Sequence, residues 1–200
     1  EQQIRFALSN DGFNYTPLNN GNPVINSADI AIKKAVRDPH ILRCEDGKTF
    51  YMVVTDMNAS EGWSSNRGIV LLKSTDLVNW TSATVNFPTR WPDLWANVTR
   101  VWAPQTIYDP VAGKYMVYFS LLTDDGTVTY DKIFYCYAND DFTDLEGDPV
   151  FLFDRGSATI DGDINFNEAD GLYHMVFKNE GVGGICQVTT KTLTPQNGEL

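Results

Sequence analysis

An all-β fold of repeated, radially arranged units, a β-propeller, is the class this sequence predicts, and three observations carry it. Aromatic residues make up 12% of the chain and fall in short alternating segments instead of helical stripes. Asp-Gly dipeptides punctuate those segments. Two sets of motifs recur along the chain at nearly constant spacing, the mark of a fold built from copies of one unit.

Period-two runs rich in Val, Tyr, Phe and Ile predict strands over Phe50–Thr55, Gly68–Lys73, Lys114–Ser120, Lys132–Ala138, Leu172–Lys178 and Gly184–Thr189. Asp46-Gly47, Asp125-Gly126 and Asp170-Gly171 tolerate positive φ and close hairpins between them. No apolar stripe supports a helix longer than about two turns. Ser9-Asn10-Asp11-Gly12-Phe13-Asn14-Tyr15 is echoed by Ser74-Thr75-Asp76-Leu77-Val78-Asn79-Trp80 at an offset of 65 residues (76 − 11), and again by Asn139–Leu145 at the same offset. The motif reads as a polar turn whose Asp or Asn bonds nearby amides, followed by an aromatic or apolar plug.

A second repeat marks the opening of each unit: Arg37-Asp38-Pro39-His40-Ile41, Trp102-Ala103-Pro104-Gln105-Thr106 and Ile160-Asp161-Gly162-Asp163-Ile164. A turn glycine follows 9 residues after Asp38 (47 − 38) and 10 after both Ala103 (113 − 103) and Asp161 (171 − 161). A Tyr/Phe-Met-Val strand comes next each time. Three units of about four strands each, with Gln3–Ile25 as an outer, partial one, predict a propeller in which the strand openings face one central channel. Asp38 and Asp161 then become neighbours despite their separation in sequence, which suits acid/base chemistry.

Composition sets outer limits. A chain of 200 residues is read as one propeller domain over 1–200. A net charge of −11 repels polyanions, so no nucleic-acid partner is expected and neutral or cationic ligands fit better. The apolar runs fall far short of the roughly 18 residues a membrane span needs. Cys44, Cys136 and Cys186 are an odd number with no C-x-x-C pair and are read as buried free thiols. Glu1 opens the chain with neither a charged nor an apolar leader segment, so an export signal is read as removed or never present.

The ordered openings, Asp-Pro at Asp38, Trp-Ala-Pro at Trp102 and Ile-Asp at Asp161, resemble glycoside hydrolase family 43 over roughly Gln3 to Leu193. The resemblance implies a five-bladed propeller acting on arabinose- or xylose-containing glycans, secreted to the periplasm or the exterior, and working as a monomer without cofactor or metal. It implies Asp38 as general base and Asp161 as the residue that tunes pKa and orientation. Asp163 competes for that second role because the local pattern is Asp-Gly-Asp. The family's general acid is a glutamate opening the fourth blade. No glutamate here sits so, and the chain is expected to stop after the third full blade, with the acid beyond Leu200. Glu180 is the local substitute, placed at a pocket rim.

Inverting hydrolysis needs an ionised carboxylate to activate water and a protonated one roughly 6.5–9.5 Å away to protonate the leaving oxygen. A third carboxylate raises the acid's pKa. Arg37, His40, Trp102, Gln105 and Glu180 are candidate substrate contacts, the first three with plainer alternatives. Arg37 can cap the sheet, His40 can be a hydrogen-bonded core residue, and Trp102 can be packing. Gln105 stands where the family usually has Asp, removing a charge. The loops Asn58–Arg67, with Trp63, and Phe87–Arg100, with Trp91 and Trp95, are expected to carry specificity; i, i+4 packing is the alternative for the latter pair. Sequons at Asn14, Asn58, Asn79 and Asn97 are weak signals. Rival functions are a non-catalytic carbohydrate-binding propeller, a protein-interaction propeller, and an invertase-like fructosidase, whose Arg-Asp-Pro motif also resembles Arg37–Pro39 but whose upstream Asn-Asp-Pro-Asn segment is missing.

Overall fold

A computed structural model describes residues 2–194. The chain opens with a two-stranded ribbon, β1 (Ala7–Leu8) and β2 (Thr16–Pro17), followed by the single helical turn α1 (Ser27–Ile30). The first four-stranded sheet is β3 (Val36–Arg43), β4 (Phe50–Asp56), β5 (Gly68–Ser74) and β6 (Thr81–Asn86). After the turn α2 (Phe87–Arg90) comes a second four-stranded sheet: β7 (Val98–Asp109), β8 (Lys114–Thr123), β9 (Lys132–Ala138) and β10 (Leu145–Phe153). A three-stranded sheet ends the described residues: β11 (Thr159–Asn167), β12 (Leu172–Asn179) and β13 (Ile185–Thr190). Every pairing is antiparallel and every sheet keeps its strands in chain order, so each is a meander. The predicted strands are all present. The segment Pro195–Gly198 lies outside the described residues.

The three sheets stand side by side as propeller blades, and β7 packs against β3 and β4 on one side and β11 on the other. The innermost strands therefore converge. Because a blade is covered on both faces, its central strands read as continuous apolar runs, as in Tyr51–Val54 and Ile69–Leu72, and alternate residues serve opposite neighbours. Val53, Ile69 and Leu71 meet Val117, Phe119 and Leu121 of the next blade. Met52, Val54, Val70 and Leu72 turn the other way toward Ile4 and Val36. Tyr118, Ile133, Ile164 and Phe177 fill the space between the second and third blades. Phe87 meets Phe119 edge-on at 5.1 Å and Tyr51 stacks on Phe142 at 3.7 Å, so both contacts tie the first blade to the second.

The turn repeat is real in the first two copies. The Asp11 and Asp76 carboxylates each accept backbone N–H bonds from the residues two and three positions on, and each holds an Asn side chain, Asn14 or Asn79. The third copy keeps the backbone and changes the chemistry. Gly12, Leu77 and Phe142, successive positions at the offset of 65 residues, all take φ between 57° and 76°. There the Asn139 side chain, not Asp141, accepts from the turn amides of Thr143 and Asp144.

Two further expectations are corrected. Trp91 and Trp95 are buried in the core between the first and second blades, joined by a Trp95 N–H to Trp91 C=O bond of 2.8 Å, so they wall no subsite. Cys44 and Cys136 are buried free thiols as read, but Cys186 is half-exposed beside Arg155, because the third sheet carries no fourth strand over it among the described residues.

Candidate active site

Each blade's first strand contains one extra residue at the same place. The register runs from Arg37↔Thr55 to His40↔Val53 in the first blade, from Trp102↔Ser120 to Gln105↔Tyr118 in the second, and from Ile160↔Lys178 to Asp163↔Val176 in the third. These are β-bulges, which re-aim a side chain out of the pleat. The bulged residues Asp38, Ala103 and Asp161 all take left-handed φ, at 51°, 45° and 54°. That conformation costs an ordinary L-residue roughly 1–2 kcal/mol and is best tolerated by short polar side chains such as Asp and Asn. The predicted equivalence of the three openings is thus a backbone fact, and two of the three present a carboxylate.

Both carboxylates line one cavity of about 480 Å³, together with Arg37, Trp63, Arg100, Trp102, Lys178 and Glu180. An adjoining space of about 240 Å³ shares Asp38 and Asp161 and adds His40 and Gln105. Asp38 accepts a hydrogen bond at 2.9 Å from the Thr55 hydroxyl. Asp161 has its pKa raised, first by burial and then by the negative charge of Asp38; Lys178 pulls it down, Glu180 pushes it up, and Arg37 pulls it down. Although Asp161 keeps surface exposed inside the cavity, the concave walls thin the water around it enough for burial to lead.

The remaining predicted residues divide between the two spaces. Glu180 lines the larger cavity at an exposed position, in an ion pair with Lys178 at 2.5 Å. His40 has its pKa lowered by burial, opposed by its hydrogen bond to the Thr106 carbonyl at 3.1 Å and by the charge of Asp163. Gln105 accepts from the Tyr118 hydroxyl at 3.2 Å, and that hydroxyl accepts from the Ile164 N–H at 2.9 Å. Asp163 lies past the bulge and is not among the residues lining the larger cavity. Its charge instead acts on His40 and Tyr118.

One wall of the cavity is a ladder of cations and rings. Arg37 sits 5.0 Å from the Trp63 ring, Trp63 meets Trp102 at 6.2 Å and 77°, and Arg100 sits 4.4 Å from Trp102. Arg100 is held from behind by the buried Asp131 at 2.9 Å and by Ser64. Trp63 is 56% exposed and offers an apolar face at the mouth, a surface suited to the C–H face of a sugar. Lys178, Thr55 and Asp131 were not singled out by sequence. Lys178 and Thr55 stand at equivalent register positions opposite the bulges, a signal that alignment of the repeats to the second strands would have shown. Asp131 carries no such signal. Among the described residues no group of three His, Cys, Asp or Glu side chains is placed to hold a metal ion.

The whole of 1–199 matches a family model described as "Probable glycosyl hydrolase domain", related to glycoside hydrolase family 43. The chain belongs to this family. An α-L-arabinofuranosidase of Bifidobacterium longum subsp. longum is 30% identical over 92% of the chain, which spans 19% of that relative's length. A thermostable family-43 glycoside hydrolase of known structure superposes with a TM-score of 0.61 at 21% identity, covering 82% of this chain and 51% of the other. The family-43 protein BlXynB from Bacillus licheniformis gives 0.63 at 17% identity, over 96% and 35%. These structures establish the partial family-43 propeller fold. In this family-43-related chain, as in any fold, the chemistry must be argued from the site.

The raised pKa of Asp161 has a thermodynamic consequence. Between the ordinary value of 3.8 and the raised one, the folded chain binds a proton that the unfolded chain has released. The stability from this source is therefore present at low pH and is lost as pH rises through that window. Above it, ionised Asp161 opposes folding. Asp161→Asn is expected to raise the melting temperature at pH 7 and to lose that advantage as the pH falls to about 3.8, the unperturbed carboxylate value. Thermal melts of both proteins across pH 3–8 check this, and an Asn variant no more stable at pH 7 would contradict it.

Proposed function

We propose that this chain supplies part of the active site of an inverting glycoside hydrolase acting on arabinose- or xylose-containing plant polysaccharides, with α-L-arabinofuranosides or β-D-xylosides as its substrates. One observation carries the reading: Asp38 and Asp161, on identical bulges two blades apart, line a single cavity. In it Asp38 is the general base that takes a proton from water as the water attacks the anomeric carbon. Asp161 sets the field and pKa of the acid and orients the sugar. Arg37, Trp63 and Trp102 form a wall for the sugar, and His40 and Gln105 shape the inner end.

The proton donor is proposed to come from polypeptide outside these residues. Among the described residues lining the larger cavity the remaining carboxylate is Glu180, and it is exposed and already engaged by Lys178. The name of the α-L-arabinofuranosidase relative agrees with the arabinose side of this substrate class. Polymeric substrates suit a secreted, monomeric enzyme outside the cytoplasm. Incubating the full-length protein with aryl α-L-arabinofuranosides and β-D-xylosides, and following the first-formed anomer by ¹H NMR, tests it. Inversion is expected; retention of configuration, or no turnover of either class, would overturn it.

A further inference from the structure

The second strand of each blade places one residue opposite the bulge: Thr55, Ser120 and Lys178 pair with Arg37, Trp102 and Ile160 just before the extra residue. What stands there follows what the bulge presents. Opposite Asp161 is Lys178, whose charge acts on it. Opposite Ala103, which has no carboxylate, the Ser120 hydroxyl is buried without a partner among the described residues. Opposite Asp38 is Thr55, fully buried and bonded on both sides. Its hydroxyl oxygen accepts from the Ala103 N–H at 2.9 Å, and the hydroxyl donates to Asp38 Oδ2 at 2.9 Å.

We propose that Thr55 is a positioning residue for Asp38, with the Ala103 amide as its anchor. An N–H can only donate, so the bond from Ala103 fills an acceptor position on the Thr55 oxygen and turns its hydrogen toward the carboxylate. Oδ2 is thereby held, and Oδ1 is left to receive the proton from water. The blade that lacks a carboxylate thus contributes its bulge amide to the blade that has one. A β-branched side chain on a central strand has a restricted χ1, so little freedom remains to be lost when substrate binds. Because Ala103 also lies along the smaller space beside Asp38, the relay couples the two bulges across the blade boundary.

The inference rests on Asp38 being the general base. In the full-length protein, Thr55→Val removes the hydroxyl, and Thr55→Ser keeps it. Without the hydroxyl the Asp38 carboxylate is free to turn out of line with the attacking water, and a misplaced catalytic group can cost on the order of 10²-fold, so Thr55→Val is expected to lower kcat about 10- to 100-fold. KM should stay within about threefold, since the bond acts on the base and not on uniform substrate binding. Thr55→Ser should recover most of kcat. A fall in stability alone would move neither the kcat-to-KM split nor the Ser rescue in this way. If Thr55→Val does not fold, Thr55→Cys, a weak donor of similar size, replaces it, with kcat expected in the order Thr, Ser, Cys. Equal kcat across the folded variants would overturn the positioning role. Asp38→Asn in the same assay separates the failures. Inactive Asp38→Asn with fully active Thr55→Val sinks the positioning role alone, whereas active Asp38→Asn sinks the base assignment beneath it.

Discussion

In the full-length protein Asp38→Asn is expected to lower kcat on aryl arabinofuranosides and xylosides by about 10²- to 10⁴-fold, the usual worth of a positioned general base. The substitution isolates the chemistry because so little else changes. Asn is nearly isosteric with Asp, its side-chain oxygen still accepts from the Thr55 hydroxyl, and it tolerates the left-handed φ of 51° that the bulge imposes. The variant should therefore fold and bind substrate with KM little changed, having lost only the group that accepts the proton. Asp38→Ala would mix that loss with an abandoned hydroxyl and a strained backbone. The same variant carries a second readout. Removing the charge of Asp38 removes the second-largest upward push on Asp161, so the Asp161 carboxyl should titrate at lower pH in Asp38→Asn, as ¹³C NMR of the carboxyl would show. Wild-type turnover would rule out the base role, and an unmoved Asp161 would mean the two carboxylates do not sense each other.

Much of this site was legible because repetition turns sequence distance into geometry. The spacing that relates Asp11 to Asp76 also relates Asp38 to Ala103 (103 − 38 = 65), and the backbone repeats with it. What repetition does not reveal is the conformation of an individual residue. Leu77, Phe142 and Ala103 adopt positive φ without the Gly or Asn that normally announces it, Ala103 because the sheet holds its bulge, and Leu77 and Phe142 because turn bonds to the Ser74 hydroxyl and the Asn139 carbonyl hold theirs. Nor does likeness of letters guarantee likeness of role. Asp141 stands where Asp76 does, yet Asn139 takes over the turn, because its side chain reaches the same amides from the other end of the loop. Trp91 and Trp95 looked like subsite walls because loop aromatics often are. Their helical turn instead folds into the gap between blades, where Trp91 donates to the Gly147 carbonyl at 3.0 Å. Trp63, on the neighbouring loop, is the loop ring that reaches the cavity, where it meets Trp102 of β7. Asp131 shows the limit most plainly, since its role comes from a contact with Arg100, 31 residues away, that no local pattern records.

Asn66 belongs to the same class and should have the largest effect on stability. It is fully buried at the end of the loop that carries Trp63. Its side-chain amide donates to the Asp56 carbonyl at 3.0 Å and the Gly68 carbonyl at 2.8 Å, and its oxygen accepts from the Val101 N–H on β7. One side chain thus closes the β4–β5 connection and fastens it to the next blade, two residues before the Ala103 bulge. Arg67 adds a neighbouring tie to the Val98 carbonyl. Asn66→Ala strands two carbonyls and an N–H in a dry interface, and at about 1–3 kcal/mol for each unsatisfied group the loss should reach about 3 kcal/mol or more. For a domain of this size that is a fall in melting temperature of roughly 6–12 °C. Asn66→Asp should be worse near neutral pH, since it sets a carboxylate oxygen against carbonyl oxygens that need a donor, and acid should narrow the gap by supplying a proton. A shift below about 2 °C in Asn66→Ala, set against the scale for such domains, would mean that the blades are held by their apolar contacts alone and that the bulge carrying the Ala103 anchor is placed without Asn66.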